Sequence, residues 1–421
     1  MATTYCYYTQ TTPTDNNTWT LSMWVKRGVT GTVQNLAGAW DDGSNHCIFR
    51  FNADNQLDWY DYQDPASFQL KTNRQFRDVG AWYHLVFVWD SDNVTEADRM
   101  QTWVNGVRET SYATSDYPTS GASTVINVSG RVVEIGRRSD GGYFSGEMSH
   151  VQFVDGLALA PTEFGSVDAT SGIWKINPGA YATPGDNGFC LAMEDRTNLD
   201  LDTSSNAFTF TTSGTLTATY DNPSNNFATM NALDNDSSTF TNGNTTLTWT
   251  VTNKTNKSTL GMEGGKWYAE CKGTDVNGGV SGTLIGVGSA DNVMNTYLSA
   301  TNSGWGYRCQ TGEIQNGAGN EAYGDTYTDG DIIGVAIDVD NGYVYMSKNG
   351  VWQDSGDPTS GASGTGAANN QPTYGSVLSG TQFFACSSYD TDVLSWNFGN
   401  GYFATTSSGT TEADDAGIGQ F

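Results

Sequence analysis

The run WTLSMWVKR at residues 19–27 alternates strictly, with Trp19, Leu21, Met23 and Val25 on one side and Thr20, Ser22, Trp24 and Lys26 on the other. A period of two sends successive side chains to opposite faces of a strand, so this run is a strand with one face built for a core. The same reading fits residues 46–51, 56–60, 82–89, 100–104 and 132–135, with turns such as Asn105-Gly106 between some of them. Turn signals recur about every ten residues and amphipathic helical segments are missing, which favours stacked antiparallel sheets over βαβ units. One helical turn is expected at residues 160–164, with Pro161 early and Glu163 near the positive end of the dipole. A strand at 188–193 is expected to return to this first sandwich.

The second half repeats the pattern at residues 246–251, 266–272, 283–288, 304–308, 332–338, 343–348, 383–386 and 394–398. Asn341-Gly342 and Asn349-Gly350 tolerate positive φ, so 332–352 is predicted to be a three-stranded meander. Residues 355–371, rich in Gly, Ser, Ala and Asn, read as a long mobile loop. Residues 207–219 and 221–236, rich in Thr, Asn and Asp, read as the junction between halves. A chain of 421 residues with 50 glycines fits two all-β domains better than one. The expectation is two antiparallel, jelly-roll-like β-sandwiches at 1–212 and 213–403, followed by a flexible or docking tail at 404–421.

Charge and cysteine usage narrow the partners. A net charge of −27 argues against nucleic acid, because phosphate binding needs cations to displace counterions. Cys6, Cys47, Cys190, Cys271, Cys309 and Cys386 fall three to a half and form no CxxC pair, so buried free thiols and a reducing compartment are expected. Residues 1–20 lack a basic and an apolar signal region, and no apolar run approaches a membrane span; a soluble chain without an export signal is the expectation.

Little in the chain points to catalysis. His46, His84 and His150 stand in strand patterns beside apolar residues, not as HxH or HExxH, and read as core or edge histidines. There is no GxSxG elbow and no ExDxxE; Glu194 with Asp195, Glu96 with Asp98, and Asp338 with Asp340 read as strand ends and turns. Sugar binding has better candidates, since a pyranose face stacks on Trp or Tyr while its hydroxyls bond to Asp and Asn. Trp40, Asp41, Asp42, Asn45, Trp59, Tyr60, Asp61 and Tyr62 gather such groups at two neighbouring strand ends. The competing reading makes Trp40 and Trp59 core or rim aromatics. Asp41-Asp42-Gly43 is a weak calcium candidate, supplying two carboxylates where six to eight oxygens are needed.

WTLSMWVKR, FRDVGAWYHLVFVWD, TWVNGVR, IGRRSDGGYFSGEMSHVQFVDGLALAPTEFG and GIWKINPGAY, in that order, resemble the concanavalin A-like, laminin-G-like sandwich domains recurrent in marine bacteriophage proteins. That likeness spans about residues 1–190 and implies Trp82, His84, Val86 and Val88 on one strand face with Trp103 opposite. GKWYAE (265–270), LIGVGSAD (284–291), GDIIGVAIDVDNGYVYMSKNGVW (330–352), FFACSSYD (383–390) and WNFGNGYF (396–403) resemble a SPRY domain. SPRY domains bind peptides or protein surfaces through loops, which here would include Asp291, Asn292, Tyr297, Tyr323, Tyr327, Tyr389 and Asp390. Trp267, Trp352 and Trp396 are expected in its core. The segment at 221–248 resembles the linkers between these two modules in phage proteins.

The resemblance implies a non-catalytic virion structural or adhesion protein: a tail fibre, spike or capsid-surface appendage, made in the host cytoplasm. It would bind host surface glycans or other virion proteins as a homo-oligomer, without cofactor, nucleic acid or membrane insertion. Two alternatives stand beside it, a capsid decoration or cement protein without a receptor, and a glycan-degrading enzyme on a glucanase-like sandwich.

Overall fold

The structure, a computed structural model, describes residues 3–139, 141–234, 238–276, 282–372, 374, 378–389, 391–401, 413–414 and 417–421. The chain divides into two compact units, Met1–Ala218 with Asn222–Asn226, and Thr219–Asp221 with Phe227–Phe421. Both are built from antiparallel sheets, and among the described residues helix is confined to short 3₁₀ turns such as Pro161–Glu163. No helix among the described residues is long and apolar enough to cross a membrane.

The first unit holds an eight-stranded and a six-stranded sheet. The larger runs, edge to edge, Tyr112–Asp116, Ala66–Gln75, Gln56–Gln63, Asn45–Phe51, Gln34–Asp42, Val132–Ile135, Tyr5–Thr9 and Thr211–Ser213. The smaller runs Phe189–Leu191, Gly146–Asp155, Thr18–Arg27, Trp82–Asp90, Met100–Val104 and Val107–Arg108. Thr211–Ser213 pairs with Tyr5–Thr9, so part of the expected junction is an edge strand of this unit.

Between the sheets lies a core of large rings. Trp19, Leu21, Met23 and Val25 face it as their alternation requires. Trp19 stacks parallel on Trp89 at 6.3 Å, Phe49 on Trp59 at 5.5 Å, and Phe87 wedges against Phe49 at 4.8 Å. Each such ring contributes roughly 2–3 kcal/mol by burial alone.

The opposite face of Thr18–Arg27 is also buried. Thr20, Ser22, Trp24 and Lys26 are covered, because the chain beyond Asp155 folds back across the six-stranded sheet. A second apolar cluster of Val86, Val88, Val154 and Phe164 forms there, with Trp103 packed against it and directly opposite Val86. The hairpin Gly165–Val167/Trp174–Ile176 lays the Trp174 indole against Gly106 and Gly165, where any Cβ would stand 2.4–2.6 Å from the ring. Trp174 donates its Nε1–H to His84 Nδ1 at 2.9 Å, which leaves the histidine proton on Nε2, 2.9 Å from Ser22 Oγ. The His84 ring is stacked between Trp24 at 4.8 Å and Trp174 at 5.9 Å. Both imidazole nitrogens are thus committed in the neutral form.

The second unit pairs a seven-stranded with a six-stranded sheet. The first runs Ser238–Thr241, Thr246–Trp249, Val393–Asn397, Lys266–Asp275, Ile332–Asp338, Tyr343–Lys348 and Val351–Trp352; the predicted meander is its last three strands. The second runs Lys254–Lys257, Gln382–Ser388, Leu284–Ser289, Gly304–Arg308, Glu313–Asn316 and Gly319–Ala322. Trp396 lies in the core, with its indole N–H 3.3 Å from Cys386 Sγ. Two of the expected core tryptophans do not: Trp267 is half exposed and bonds Gly264 O at 2.7 Å, and Trp352 is half-buried beside Tyr268. The stretch at 355–371 is packed rather than free. Ala367, Ala368 and Asn369 are buried, Ala368 N donates to Val344 O at 2.8 Å, and Asn369 Oδ1 accepts from Val344 N at 3.1 Å.

Most of the expected tail, including residues 404–412, lies outside the described residues, as do 402 and 403 before it; of its end, Phe421 meets Tyr268 at 5.0 Å and Gln420 O accepts from Asn397 at 2.9 Å. All six thiols are free and buried.

Burial lowers the His84 pKa to about 3. An unfolded histidine titrates near 6.5, so between these values the unfolded chain binds the extra proton and stability falls as pH falls. The urea-unfolding free energy of the protein is expected to lose up to ~1.4 kcal/mol per pH unit below about pH 6 through this group. His84→Gln, which keeps a donor and an acceptor, should lack that component; equal slopes for the two proteins would contradict the buried neutral assignment.

Candidate functional site

The eight-stranded sheet presents its outward face at the same three strands that bury Phe49 and Trp59. Pairing sets Trp40 opposite His46 and His46 opposite Tyr62, while Ile48 stands opposite Tyr60. With Trp59 turned to the core, the alternate positions Tyr60 and Tyr62 turn outward. Trp40 stacks on His46 at 5.0 Å and 18°, and His46 meets Tyr60 at 5.5 Å and Tyr62 at 5.3 Å.

Two arginines complete this surface. Arg138, just past Val132–Ile135, lies 4.9 Å over Trp40 and donates to Tyr60 Oη at 3.2 Å. Gly38 leaves it room, since a Cβ there would meet Cys47 O at 2.9 Å and Arg138 Cγ at 3.5 Å. Arg50 lies 5.1 Å over Tyr60 and is held by Asp58 at 2.8 Å, whose other oxygen accepts from Gln69 at 2.7 Å. Burial first, and the Arg138 charge second, hold the His46 pKa below its ordinary value, so the ring acts as a neutral aromatic near pH 7. Tyr5, Tyr7 and Tyr143 continue the theme, with Arg137 4.1 Å over Tyr5.

Of the sugar-binding candidates, Trp40, Tyr60 and Tyr62 are brought together here, and Asp41, Asp42 and Asn45 lie at the adjoining hairpin end. Trp59 and Asp61 are corrections: both point into the core, on the opposite face from Tyr60 and Tyr62. Asp61 accepts from Gln63 Nε2 and Val125 N, each at 2.8 Å, and burial pushes its carboxyl up to about 6. Asp41 is paired with Arg131 at 2.6 Å, and Asp42 Oδ1 accepts from Ser44 N at 2.7 Å and Asn45 Nδ2 at 3.2 Å. These bonds engage one oxygen of each carboxylate. His46, Arg50 and Arg138 were not anticipated. The first two could have been found by carrying the period of two across the neighbouring strands; for Arg138 the local sequence holds no such signal.

In the second unit the predicted loop residues separate. Asp291 is exposed, but Asn292 is buried and donates to Leu298 O at 3.0 Å. Tyr323 and Tyr327 belong to the core, with Tyr327 Oη donating to Tyr307 O at 2.8 Å. Tyr297 and Tyr389 line one cleft, and Asp390 lies outside the described residues. The loop after Leu284–Ser289 is fixed by Lys257 Nζ, which donates to Ala290 O at 3.1 Å and to Ser289 O and Asn292 O at 3.4 Å.

In each acidic pair weighed for catalysis at least one member is engaged with a neighbour. Asp98 pairs with Arg108 at 2.6 Å, Asp338 with Lys266, and Asp340 accepts from Gly265 N at 2.8 Å. Glu194 stands 3.3 Å from His150, while hydrogen bonds from Thr197 hold Asp195 below the usual carboxylate range. Asp338 is pushed up by burial but held lower by Lys266 and Asn341, with a net downward shift. A glycosidase acid needs the opposite shift.

Residues 2–163 match the family described as the concanavalin A-like lectin/glucanases superfamily, of laminin-G type, and residues 266–368 match the SPRY domain family. The chain therefore carries a lectin-like sandwich followed by a SPRY domain, as its motifs suggested. Among solved structures it is similar to the SPRY domain of human HERC1, at 17% identity and TM-score 0.32, covering 40% of this chain and 96% of that one. It is also similar to the native heptameric SAP-like pentraxin from Limulus polyphemus, at 18% identity and TM-score 0.31, covering 45% and 86%. A human SPRY domain matches at 16% identity and TM-score 0.26, covering 36% and 90%. No curated protein matches the sequence.

The opposite placement of two tryptophans gives a direct test. Trp59→Ala is expected to cost ~3–5 kcal/mol in urea unfolding, and Trp40→Ala about 1 kcal/mol or less. Similar costs for the two substitutions would overturn the assignment of faces.

Proposed function

We propose that this chain is a non-catalytic adhesion or structural component of a bacteriophage virion, a tail fibre, spike or capsid-surface appendage, that binds host surface glycans through the outward face of its first sandwich. The observation that carries this reading is the cluster of Trp40, His46, Tyr60 and Tyr62 on one sheet face beside Arg50 and Arg138. Such rings offer apolar faces to pyranose C–H groups, while Asp42, Asn45 and the arginines supply donors and acceptors for hydroxyls. The surface lies on paired strands, so binding would need little ordering of the protein. The viral assignment draws its support from the order of the two modules and from the likeness of the segment at 221–248 to phage linkers. Six reduced thiols suit assembly in a host cytoplasm, and the charge of −27 disfavours a nucleic-acid partner. Nothing in the proposed contact calls for a metal or cofactor.

A single sugar platform binds weakly, and repetition in a symmetric assembly multiplies it. The protein is therefore expected to be a homo-oligomer at micromolar concentration by light scattering. On a glycan array it should bind a subset of host envelope glycans without releasing reducing ends, and should inhibit phage adsorption. Trp40→Ala and Tyr62→Ala should each weaken array binding about tenfold or more, in line with ~1–2 kcal/mol for a stacked ring. Absence of glycan binding together with attachment to capsids would favour the decoration reading. Release of reducing ends, abolished by one carboxylate substitution, would favour the enzyme.

A further inference from the structure

Among the described residues two lysines are buried, Lys26 and Lys257. Lysine is almost never fully buried without a partner, so the destination of each amine carries information. Lys257 gives its protons to backbone carbonyls of the loop after Leu284–Ser289. Lys26 is placed differently. It is 2% exposed, and its Nζ donates at 2.8 Å to Oδ1 of Asn226, a side-chain carboxamide 200 residues further along the chain.

The six-stranded sheet of the first unit builds the surroundings of this amine. Lys26 has Glu147 directly opposite it on one neighbouring strand and Trp82 directly opposite on the other. Directly paired residues share a face with their Cβ atoms about 4.5–5.5 Å apart, so the lysine amine and the Glu147 carboxyl are within reach of each other. Trp24, two residues back along the strand, shares that face, and both tryptophans are buried, so the pair stands in apolar company. Asn226 arrives from the segment Asn222–Asn226, which folds with the first unit. That segment is a tight turn in which Asn222 N donates to Asn225 O, Asn225 N to Asn222 O, and Ser224 N to Asn222 Oδ1. Asn226 Nδ2 donates to Gly80 O at 2.8 Å, so the carboxamide is held at both ends. A carbonyl bond is about 1.2 Å long, which puts Asn226 Cγ within about 4 Å of the lysine nitrogen. A displacement of about an ångström or less brings it to the ~3–3.5 Å of an attacking pair. Asn226 is itself exposed, which gives a small leaving group a route to solvent.

We propose that Lys26 and Asn226 join in an intramolecular isopeptide bond, formed by the folded chain itself with Glu147 as the proton acceptor. Glu147 takes one proton from the ammonium, and the freed electron pair attacks Asn226 Cγ while the carbonyl π pair moves onto Oδ1. That pair then re-forms the carbonyl as the Cγ–Nδ2 bond breaks. The attacking nitrogen gives up a second proton, which leaves with Nδ2 as ammonia, and the proton held by Glu147 follows it to make ammonium and restore the carboxylate. One ammonium and one carboxamide thus become one amide and one ammonium, with no oxidant or cofactor. The product replaces a buried cation with a neutral amide and pins the turn at Asn222–Asn226 to the sheet by a covalent loop. Neither Lys26 nor Glu147 lies on the sheet that carries the proposed glycan surface, so either proposal can fail while the other stands.

Intact-mass spectrometry of the purified full chain reads the bond directly, since loss of ammonia leaves the protein about 17 Da lighter than its sequence. Trypsin should leave Lys26 uncleaved and release one branched peptide joining the stretches that contain Lys26 and Asn226. Lys26→Arg should restore the sequence mass, as should Asn226→Ala, at an exposed position, if the buried arginine prevents folding. With formation followed by mass after cell-free synthesis, Glu147→Gln should slow it about a hundredfold or more while keeping the circular dichroism spectrum of the unsubstituted protein. Glu147→Asp should recover part of the rate. A protein at its full sequence mass, or a digest without the branched peptide, would overturn the proposal. So would the same mass loss in Lys26→Arg, the mark of a cyclised asparagine, or an unchanged rate in folded Glu147→Gln.

Discussion

The stacking of Phe49 on Trp59 inside the first sandwich is the interaction on which its candidate surface depends. The two residues are direct cross-strand partners, so burying them fixes the register of Asn45–Phe51 against Gln56–Gln63. Because strand side chains alternate, a slip of one residue in that register would carry every ring to the other face. With the register fixed by buried rings, His46, Tyr60 and Tyr62 have no alternative to the outward side. The core thereby determines the surface, and no ligand is needed to assemble it.

The two sheets of this unit are finished differently. The six-stranded sheet has its outer face closed by the chain beyond Asp155, with Val86, Val88 and Phe164 sealed beneath it and the Trp24–His84–Trp174 stack at its margin. The eight-stranded sheet carries on its outer face partly exposed aromatics and arginines that brace one another through cation–π contacts and the Arg50–Asp58 pair. Charged groups so braced keep their geometry at little entropic cost, which suits recognition. In the second unit a buried polar group holds a loop in the same way, Lys257 tying three carbonyls of the chain just after Leu284–Ser289.

Much of the fold was legible because strongly apolar strands keep a clean period of two. Residues 100–104, 132–135, 304–308, 332–338 and 343–348 have the bounds expected of them. Strands with mixed or polar sequences were not, among them Gln34–Asp42, Ala66–Gln75 and Lys254–Lys257, whose place comes from pairing with neighbours and not from their own pattern. The site was half legible. Treating Trp59, Tyr60, Asp61 and Tyr62 as one cluster ignored that consecutive strand residues cannot share a face, and so added Trp59 and Asp61 to a surface they turn away from. Of the cleft in the second unit, Tyr297 and Tyr389 were among the expected loop residues, but that they share one lining comes only through long-range folding. The packed state of residues 355–371 was hidden for a similar reason: small residues look mobile until Val344 is seen to bond Asn369 and Ala368.

The proposed glycan contact lies on the outward face of the first sandwich around His46. Hydroxyl-radical footprinting of the intact protein, with and without a host polysaccharide that it retains, reads this residue by residue. Protection of Trp40, Tyr60 and Tyr62 is expected, with the exposed Val94 and Val107 unchanged. Protection confined to other surfaces, with those three rings oxidised as fast as in the free protein, would contradict it.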